Sequence, residues 1–401
     1  MTQAPELPPL HMRRTAFDPT PELRAIRETD GVRTVINAFG MEVFLVTRHE
    51  DIKEMLSNHE RFSNGRPPGF VIPGAPQIPD EELASSRAGN LLSLDPPEHQ
   101  RLRRMLTPEF TIRRMKRLEP RIAEMVEQQL NAMESAGAPV DLVASFALPI
   151  PSLVICELLG VPYEDREDFQ RRSARQLDLS LPIPERLEVI RQGRAYMASL
   201  VARARQQPGD DILGMLVREH GDELTDDELI GVASLLLLAG HETTSNMLGL
   251  GTLALLRHPD QLAAVRDDPD AIRPAIEELL RWLSIVHTAI PRITTTDVEI
   301  AGVPIPAGRL VFVSLPSGNR DPDFIDSPEV LDIRRGAPGH LAFGHGVHHC
   351  LGAPLARMEM RIAFPALLRR FPTLALAEDF ADVEFRSFHF IYGLKSLEVS
   401  W

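Results

Sequence analysis

The segment around Cys350 carries residues that could bind and activate a metal or a cofactor. Gly344 and Gly346 precede the cysteine, Gly352 follows it, and a helix-forming stretch begins at Ala353. Three glycines around one cysteine cost conformational entropy unless the backbone must turn tightly or admit a flat group. A cysteine just before a helix is favoured as a thiolate, because the helix N-terminus stabilises negative charge.

Two other interpretations of Cys350 are open at this point. The first is a buried, unreactive core cysteine. The second is a zinc or other metal site shared with neighbouring histidines, namely His340, His345, His348 and His349. Such sites usually use two or more spaced ligand pairs, and this segment contains a single cysteine.

A second set of chemical residues interrupts an apolar helix. Thr225 and Glu228 form the sequence of a capping box, and the apolar periodicity that follows continues to about Leu256. The middle of this stretch is apolar nearly all round, as in a helix that runs through the interior. Glu242 and Thr243 are costly there unless they have a partner or a function. A polar stripe at a packing defect is the alternative.

These two segments resemble the cytochrome P450 family. Phe343, Gly346, Cys350 and Gly352 match every fixed position of its haem-binding signature, Phe-x-x-Gly-x-x-x-Cys-x-Gly. The stretch 239–243 is similar to the family's Ala/Gly-Gly-x-Asp/Glu-Thr pattern. The resemblance covers roughly residues 90–401 by motif and the remainder by the order of elements, and it is strongest to soluble bacterial members with a separate reductase chain.

The resemblance implies haem b (iron protoporphyrin IX) as the cofactor, with Cys350 as the protein ligand to the iron. It implies that Thr243 and Glu242 are catalytic and deliver protons during oxygen activation. Ala239 and Gly240 would leave room for dioxygen, and the Thr243 hydroxyl can bond the Ala239 carbonyl. The implied cofactor-binding residues are His99, Arg103, Ala239, Arg292, Phe343, Gly344, His348 and Cys350, and four of them match the family's propionate partners: His99, Arg103, Arg292 and His348.

One ion pair has a structural role in the family. Glu278 and Arg281 are spaced as neighbours on a helix, and by itself this pattern is typical of a solvated pair. The resemblance implies that Arg335 joins them in a structural network. Leu331 stands where the family usually has phenylalanine, which makes this part of the match weaker.

The pattern along the chain predicts a mainly α fold with small β-sheets (α+β) and one long central helix. The resemblance implies the cytochrome P450 fold, with that helix over the haem. Short alternating runs predict a hairpin over residues 32–46 with Gly40 at the turn, and further strands over 298–313 and 385–401. Residues 61–98 form a long loop rich in Pro and Gly that carries apolar side chains, as a lid would. Without a repeat or linker, residues 1–401 are predicted to form a single domain.

Composition limits the location and the partners of the protein. The net charge of −14 argues against nucleic acid as the main partner. The N-terminus has no signal-peptide pattern, and the longest apolar run, residues 231–240, is too short to span a bilayer. The two cysteines, Cys156 and Cys350, fit a reducing compartment. We therefore expect a soluble, cytoplasmic protein without a membrane partner, and a monomer.

The expected partners are a ferredoxin, O2 and a small apolar substrate. Residues 101–121 contain eight Lys or Arg and two Glu, a local excess of positive charge that would suit an acidic ferredoxin; a solvated helix face is the alternative. The substrate pocket is predicted to be lined by the loop 61–98, Leu235, Ala239, Thr288, Ile290 and the segment around Phe390 and Ile391, with residues 176–184 as a roof.

The expected reaction is insertion of one oxygen atom from O2 into a C–H or C=C bond, with electrons from NAD(P)H through a ferredoxin reductase and the ferredoxin. The substrate would be an apolar organic molecule such as a secondary metabolite. A peroxide-driven peroxygenase is one alternative, and it would not need the Glu242–Thr243 pair. A non-catalytic haem-binding protein is the other.

Overall fold

The protein is described by a computed structural model that covers residues 7–65, 73, 75–76, 78–288 and 290–401. Nine residues of the predicted lid, among them Phe70, Val71 and Ile72, lie outside the described residues. The prediction of one long loop over 61–98 was wrong at Asp80–Arg87, which forms a helix.

The α-helices of this part of the chain are α1 Pro21–Glu28, α2 His49–Ser57, α3 Asp80–Arg87, α4 Glu98–Leu106, α5 Ile112–Ala136, α6 Pro149–Leu159, α7 Arg166–Leu177, α8 Ile183–Gln206, α9 Ile212–His220, α10 Asp226–Leu256, α11 Pro259–Asp267, α12 Ile272–Leu283, α13 Leu315–Gly318 and α14 Ala353–Arg370.

The strands are β1 Arg14–Thr15, β2 Asp18–Pro19, β3 Val32–Ile36, β4 Glu42–Val46, β5 Phe62–Ser63, β6 Val140–Asp141, β7 Arg292–Thr294, β8 Val298–Ile300, β9 Val303–Ile305, β10 Leu310–Val313, β11 Ala375–Leu376 and β12 Glu398–Ser400. The predicted mainly helical fold with small sheets is confirmed.

The central helix α10 begins where the capping box predicts. The Thr225 side chain accepts a hydrogen bond from the Glu228 backbone N–H, and the Glu228 side chain accepts one from the Thr225 N–H. The helix then runs for 31 residues to Leu256. Its two flanks pack closely: a Cβ on Gly231 would lie 1.8 Å from the Ala88 carbonyl oxygen, and one on Gly251 would lie 2.7 Å from Phe364 of α14. Small residues therefore set α10 deep in the core.

A five-stranded sheet in the order β3-β4-β10-β7-β5 lies beside the helices. β3 and β4 form the predicted antiparallel hairpin, with Val32 opposite Val46 and Gly40 at a φ of 72° in the turn. β10 pairs in parallel with β4 and antiparallel with β7, the strand that carries Arg292. The strands predicted over 298–313 are confirmed as β8, β9 and β10.

The Glu278–Arg281 pair is fully buried rather than solvated. Two hydrogen bonds of 2.8 Å join the guanidinium to the carboxylate, and both side chains are 0% exposed. Arg281 also donates to the carbonyl oxygens of Asn319 and Pro328, at 2.9 and 2.8 Å. Arg335 Nε lies 3.9 Å from Glu278 Oε1, as the resemblance implies. The pair thus joins α12 to the loop that leads to the Cys350 segment.

Helices of the described residues are in every case too short or too polar to cross a lipid bilayer.

Candidate functional site

The Cys350 segment folds as a tight loop that ends at the N-terminus of α14. The Cys350 N–H donates to the Phe343 carbonyl oxygen at 2.9 Å. Gly344 and Gly346 have φ values of 69° and 72°, which favour glycine. A Cβ on Gly346 would also lie only 2.5 Å from the Leu56 carbonyl oxygen. Backbone conformation and close approach therefore both require the glycine of the signature.

The Cys350 side chain is accessible although the protein surrounds it, so it faces an internal cleft. Burial raises the pKa of the Cys350 thiol, while backbone N–H groups of Gly352 and Ala353 and the positive charge of Arg103 favour the thiolate. A positive ion bound next to the sulfur would lower the pKa of the thiol and so favour the thiolate. Cys156 differs: it is 0% exposed inside α6, and burial raises its pKa to about 12.

Helix α10 has an accessible position at Ala239 in the middle of its buried stretch. Ala239 is exposed while Leu237 and His241 on either side are buried. The Thr243 hydroxyl donates to the Ala239 carbonyl oxygen at 2.8 Å, as predicted. Gly240 serves another purpose, since its Cβ would lie 2.6 Å from Ile155 of α6. The lack of a side chain at Gly240 thus lets α10 and α6 approach, and the expectation that Gly240 also leaves room for dioxygen stays a prediction.

The Glu242 carboxylate is buried, and the fold supplies two ion-pair partners for it. Glu242 is 2% exposed. Its Oε2 lies 3.5 Å from Arg386 Nη1, and its Oε1 lies 3.8 Å from His241 Nε2. Sequence reasoning missed Arg386, because a contact between such distant parts of the chain leaves no local pattern.

Four predicted propionate partners come together beside the cysteine loop. The rings of His99 and His348 lie 4.1 Å apart, and burial followed by the charge of Arg292 lowers the pKa of His348 to about 3. Arg292 is 3% exposed, and burial lowers its pKa to about 10. Arg103 donates to the His349 carbonyl oxygen at 2.6 Å. Two guanidinium cations thus lie beside two imidazole rings whose neutral form is favoured by burial.

The same cluster has unsatisfied hydrogen-bonding capacity. Within the described residues, both ring nitrogens of His99 and Nε2 of His348 are buried without a partner. The neighbouring acid, Asp95, is already engaged by Ser63 and by the Asn64 N–H at 2.8 Å. Orphaned buried nitrogens next to two arginines fit an anionic acceptor, as a carboxylate of a bound group would be.

Phe343 is held by an arginine that sequence reasoning gave no role. Arg357 lies 4.5 Å above the Phe343 ring and bonds Glu277 at 2.6 and 2.8 Å. His340 also contacts Glu277, at 3.1 Å. Burial opposes ionisation, but hydrogen bonds from Arg357 and His340 lower the pKa of Glu277 to about 2. His340 is thus engaged elsewhere, and no metal-binding group of three or more His, Cys, Asp or Glu occurs in the described ranges, so the zinc interpretation gains no support.

Comparisons with known proteins show the family of this chain. The family model for cytochrome P450 matches residues 188–390. Cytochrome P450 FAS1 of Rhodococcoides fascians is 52% identical over 98% of both chains. The structure of P450 StaH from glycopeptide antibiotic A47934 biosynthesis is 43% identical, with a TM-score of 0.87 over 98% of this chain and 100% of that one. CYP105P1 in complex with filipin I is 37% identical, with a TM-score of 0.91 over 99% of both chains.

The chain therefore belongs to the cytochrome P450 family. Members of this family are oxidoreductases, the haem-thiolate monooxygenases, which take O2, an apolar substrate and a redox partner. The fold is the one that this family shares.

Proposed function

We propose that this protein uses haem b to insert one oxygen atom from O2 into a C–H or C=C bond of an apolar secondary metabolite, with electrons from NAD(P)H through a ferredoxin reductase and a ferredoxin. The observation that carries the proposal is the accessible Cys350 sulfur at the N-terminus of α14, held in a loop that requires glycine at position 346.

The residues present fit haem b. The Cys350 sulfur would bind the iron, and the unpaired nitrogens of His99 and His348 with the guanidinium groups of Arg103 and Arg292 would bind the two propionates. Phe343 and Gly344 would form the wall next to the ring, and Ala239 would leave room at α10. When bound, the haem supplies the iron that activates O2.

Thr243 and Glu242 are proposed to bind and transfer protons. The Thr243 hydroxyl donates to the Ala239 carbonyl oxygen, so its oxygen lone pairs stay free to accept a hydrogen bond from water in the cleft. Glu242 directly precedes Thr243 in the chain and carries the buried carboxyl group of this turn. Together they can hold a proton next to the opening at Ala239 and replace it from Glu242.

The Thr243→Ala variant tests this role. It should consume NAD(P)H without forming product and release peroxide instead, with the ratio of product to NAD(P)H falling about tenfold to a hundredfold, because a positioned proton donor contributes at least that much. Product, peroxide and NAD(P)H are measured in one reaction. Thr243→Ser retains the hydroxyl and should keep most of the coupling. Unchanged coupling in the alanine variant would remove Thr243 from the proton relay.

The proposed substrate cavity gains support from the way its predicted walls pair. Phe390 N donates to the Leu177 carbonyl oxygen and Leu179 N to that of Phe388, which joins the predicted roof to the C-terminal segment. Val286 pairs with Ile391 in an antiparallel bridge, which brings the segment before Arg292 to the same place. A secondary metabolite as substrate is supported by the similar P450s of glycopeptide antibiotic A47934 biosynthesis and of the filipin I complex.

The proposed ferredoxin site is smaller than the sequence suggested. Of the eight cations in 101–121, Arg101, Arg114 and Arg121 form ion pairs. Three exposed residues without an ion pair in the described part of the chain remain on α5: Arg113, Lys116 and Arg117. Ile112 beside them is 70% exposed. Unpaired cations around an exposed apolar side chain suit an acidic protein partner.

Charge reversal on α5 tests this site. Arg113→Glu with Arg117→Glu should slow electron transfer from an acidic ferredoxin about tenfold or more at low ionic strength, and the difference should shrink as salt is added. Stopped-flow reduction at several salt concentrations measures this. Arg33→Glu with Arg309→Glu changes the net charge equally at the five-stranded sheet and should have little effect. Equal slowing by both pairs would contradict a local dock.

A further inference from the structure

The C-terminal hairpin, residues 385–394, makes a specific contact with α10 at the turn that carries Glu242. Phe385 and Leu394 pair as an antiparallel bridge, and Arg386 N donates to the Gly393 carbonyl oxygen at 2.9 Å. Arg386 and Gly393 are therefore held side by side where the hairpin meets the helix.

Gly393 packs against Asn246 so closely that no side chain fits. A Cβ on Gly393 would lie 1.6 Å from Asn246 Oδ1 and 3.0 Å from Asn246 Cβ. Asn246 in turn donates from Nδ2 to the Glu242 carbonyl oxygen at 2.6 Å. The hairpin and the Glu242 turn of α10 thus form one packed unit, and a displacement of one would move the other.

Arg386 contributes a positive charge to this packed unit of hairpin and helix. Its Nη1 lies 3.5 Å from Glu242 Oε2, and its own side chain is 21% exposed, so it reaches from the surface to a buried carboxylate. The second neighbour, His241, donates from Nδ1 to the Leu237 carbonyl oxygen at 2.6 Å, which leaves Nε2 without a proton while the ring is neutral. Burial lowers the pKa of His241 and favours that neutral form.

The remaining titratable neighbour is His389, whose ring nitrogens contact the carbonyl oxygens of Ile391 and Ala174. Burial lowers its pKa as well. Of the described residues, Arg386 is therefore the permanently charged partner of Glu242.

The other side of the hairpin reaches the proposed substrate cavity. Ile391 bridges Val286, and Tyr392 N donates to the Ile285 carbonyl oxygen at 2.8 Å. Phe390, next to Ile391, donates to Leu177 at the end of α7. The residues that would touch substrate and the residue that pairs with Glu242 thus belong to one short hairpin.

We propose that Arg386 is a positioning residue for the reaction, because it sets the orientation of the Glu242 carboxylate. Through the C-terminal hairpin, that orientation depends on whether substrate contacts Phe390 and Ile391. The inference rests on the proton-relay role of Glu242 in the proposed function. Substrate that fills the cavity orders the hairpin, and the ordered hairpin aligns the acid beside Thr243.

The first test compares Arg386→Gln with Arg386→Lys in the haem-loaded protein. Loss of the cation should lower the ratio of product to NAD(P)H about tenfold. The pH profile of its coupling should move to higher pH, because removal of the cation favours the protonated form of the buried carboxyl group that supplies the proton. Arg386→Lys should restore much of the coupling. Lys395→Gln, which removes an exposed cation paired with Glu384 on the adjoining residues, should change neither quantity.

The second test is independent of turnover. Hydrogen exchange followed by mass spectrometry should show faster exchange in 239–246 and 385–394 for Arg386→Gln and for Gly393→Ala, but not for Lys395→Gln. Addition of a substrate that shifts the haem spectrum should slow exchange in both segments of the wild type. Unchanged exchange on substrate addition would overturn the link to the cavity.

The Glu242→Gln variant distinguishes a failure of this inference from a failure of the proposed function on which it rests. If Glu242→Gln keeps full coupling, the proton-relay role itself is wrong. If Glu242→Gln loses coupling while Arg386→Gln keeps it with an unchanged pH profile, the role of Glu242 stands and the positioning role of Arg386 is overturned.

Discussion

Cys350→Ser is expected to lower substrate turnover by more than about a hundredfold, since loss of even an outer partner of a metal ligand commonly costs about 10–100-fold. The reduced protein under carbon monoxide should lose the red-shifted Soret band that a thiolate ligand produces. The serine oxygen cannot donate charge to the iron as the sulfur does. Cys350→His should likewise bind haem with a spectrum that lacks the thiolate shift.

The other cysteine provides the matched control. Cys156 is buried in α6, and its pKa of about 12 keeps it a neutral thiol. Cys156→Ala should therefore retain the carbon monoxide spectrum and the turnover, apart from a modest loss of stability from the small cavity. A Cys350→Ser protein with the wild-type spectrum and rate would show that another residue binds the iron. A protein that stays colourless after an adequate supply of porphyrin would exclude haem altogether.

Arg281→Ala should destabilise the fold by about 3–5 kcal/mol, since it leaves the Glu278 carboxylate buried and without its cation. The arginine also donates to backbone carbonyl oxygens of the 319–330 loop, which would lose their partners. That loop leads to the Cys350 segment, so the haem content should fall as well. Denaturant unfolding and absorbance of the purified protein measure the two effects.

An exposed ion pair serves as the control that shows how much burial adds to the free-energy cost of removing the arginine. Arg309 and Glu42 lie 2.8 Å apart with side chains 43% and 58% exposed, and Arg309→Ala should cost less than about 1 kcal/mol. Arg281→Lys keeps the charge but loses the two-point contact with Glu278, and its cost should fall between the two alanine variants. A loss for Arg281→Ala as small as that of Arg309→Ala would mean that the network does not support the fold.

Local sequence rules predicted the parts of the protein that depend on neighbouring residues. The capping box at Thr225 places the start of α10, because its hydrogen bonds form within one turn. The hairpin of β3 and β4 follows from alternation and from Gly40. The back-bond from Thr243 to Ala239 follows from helical spacing alone. The family signature added the expectation that the cysteine segment binds haem.

Contacts between distant segments decided the rest. Burial turned Glu278 and Arg281 from an ordinary helical pair into a desolvated network, and close packing against Ile155 assigned Gly240 to the helix interface. The pairing of Glu242 with Arg386 and the fit of Gly393 onto Asn246 arise only when the C-terminal hairpin meets α10. Spacing along the chain encodes local hydrogen bonds, whereas desolvation and steric fit depend on which segments the fold brings together.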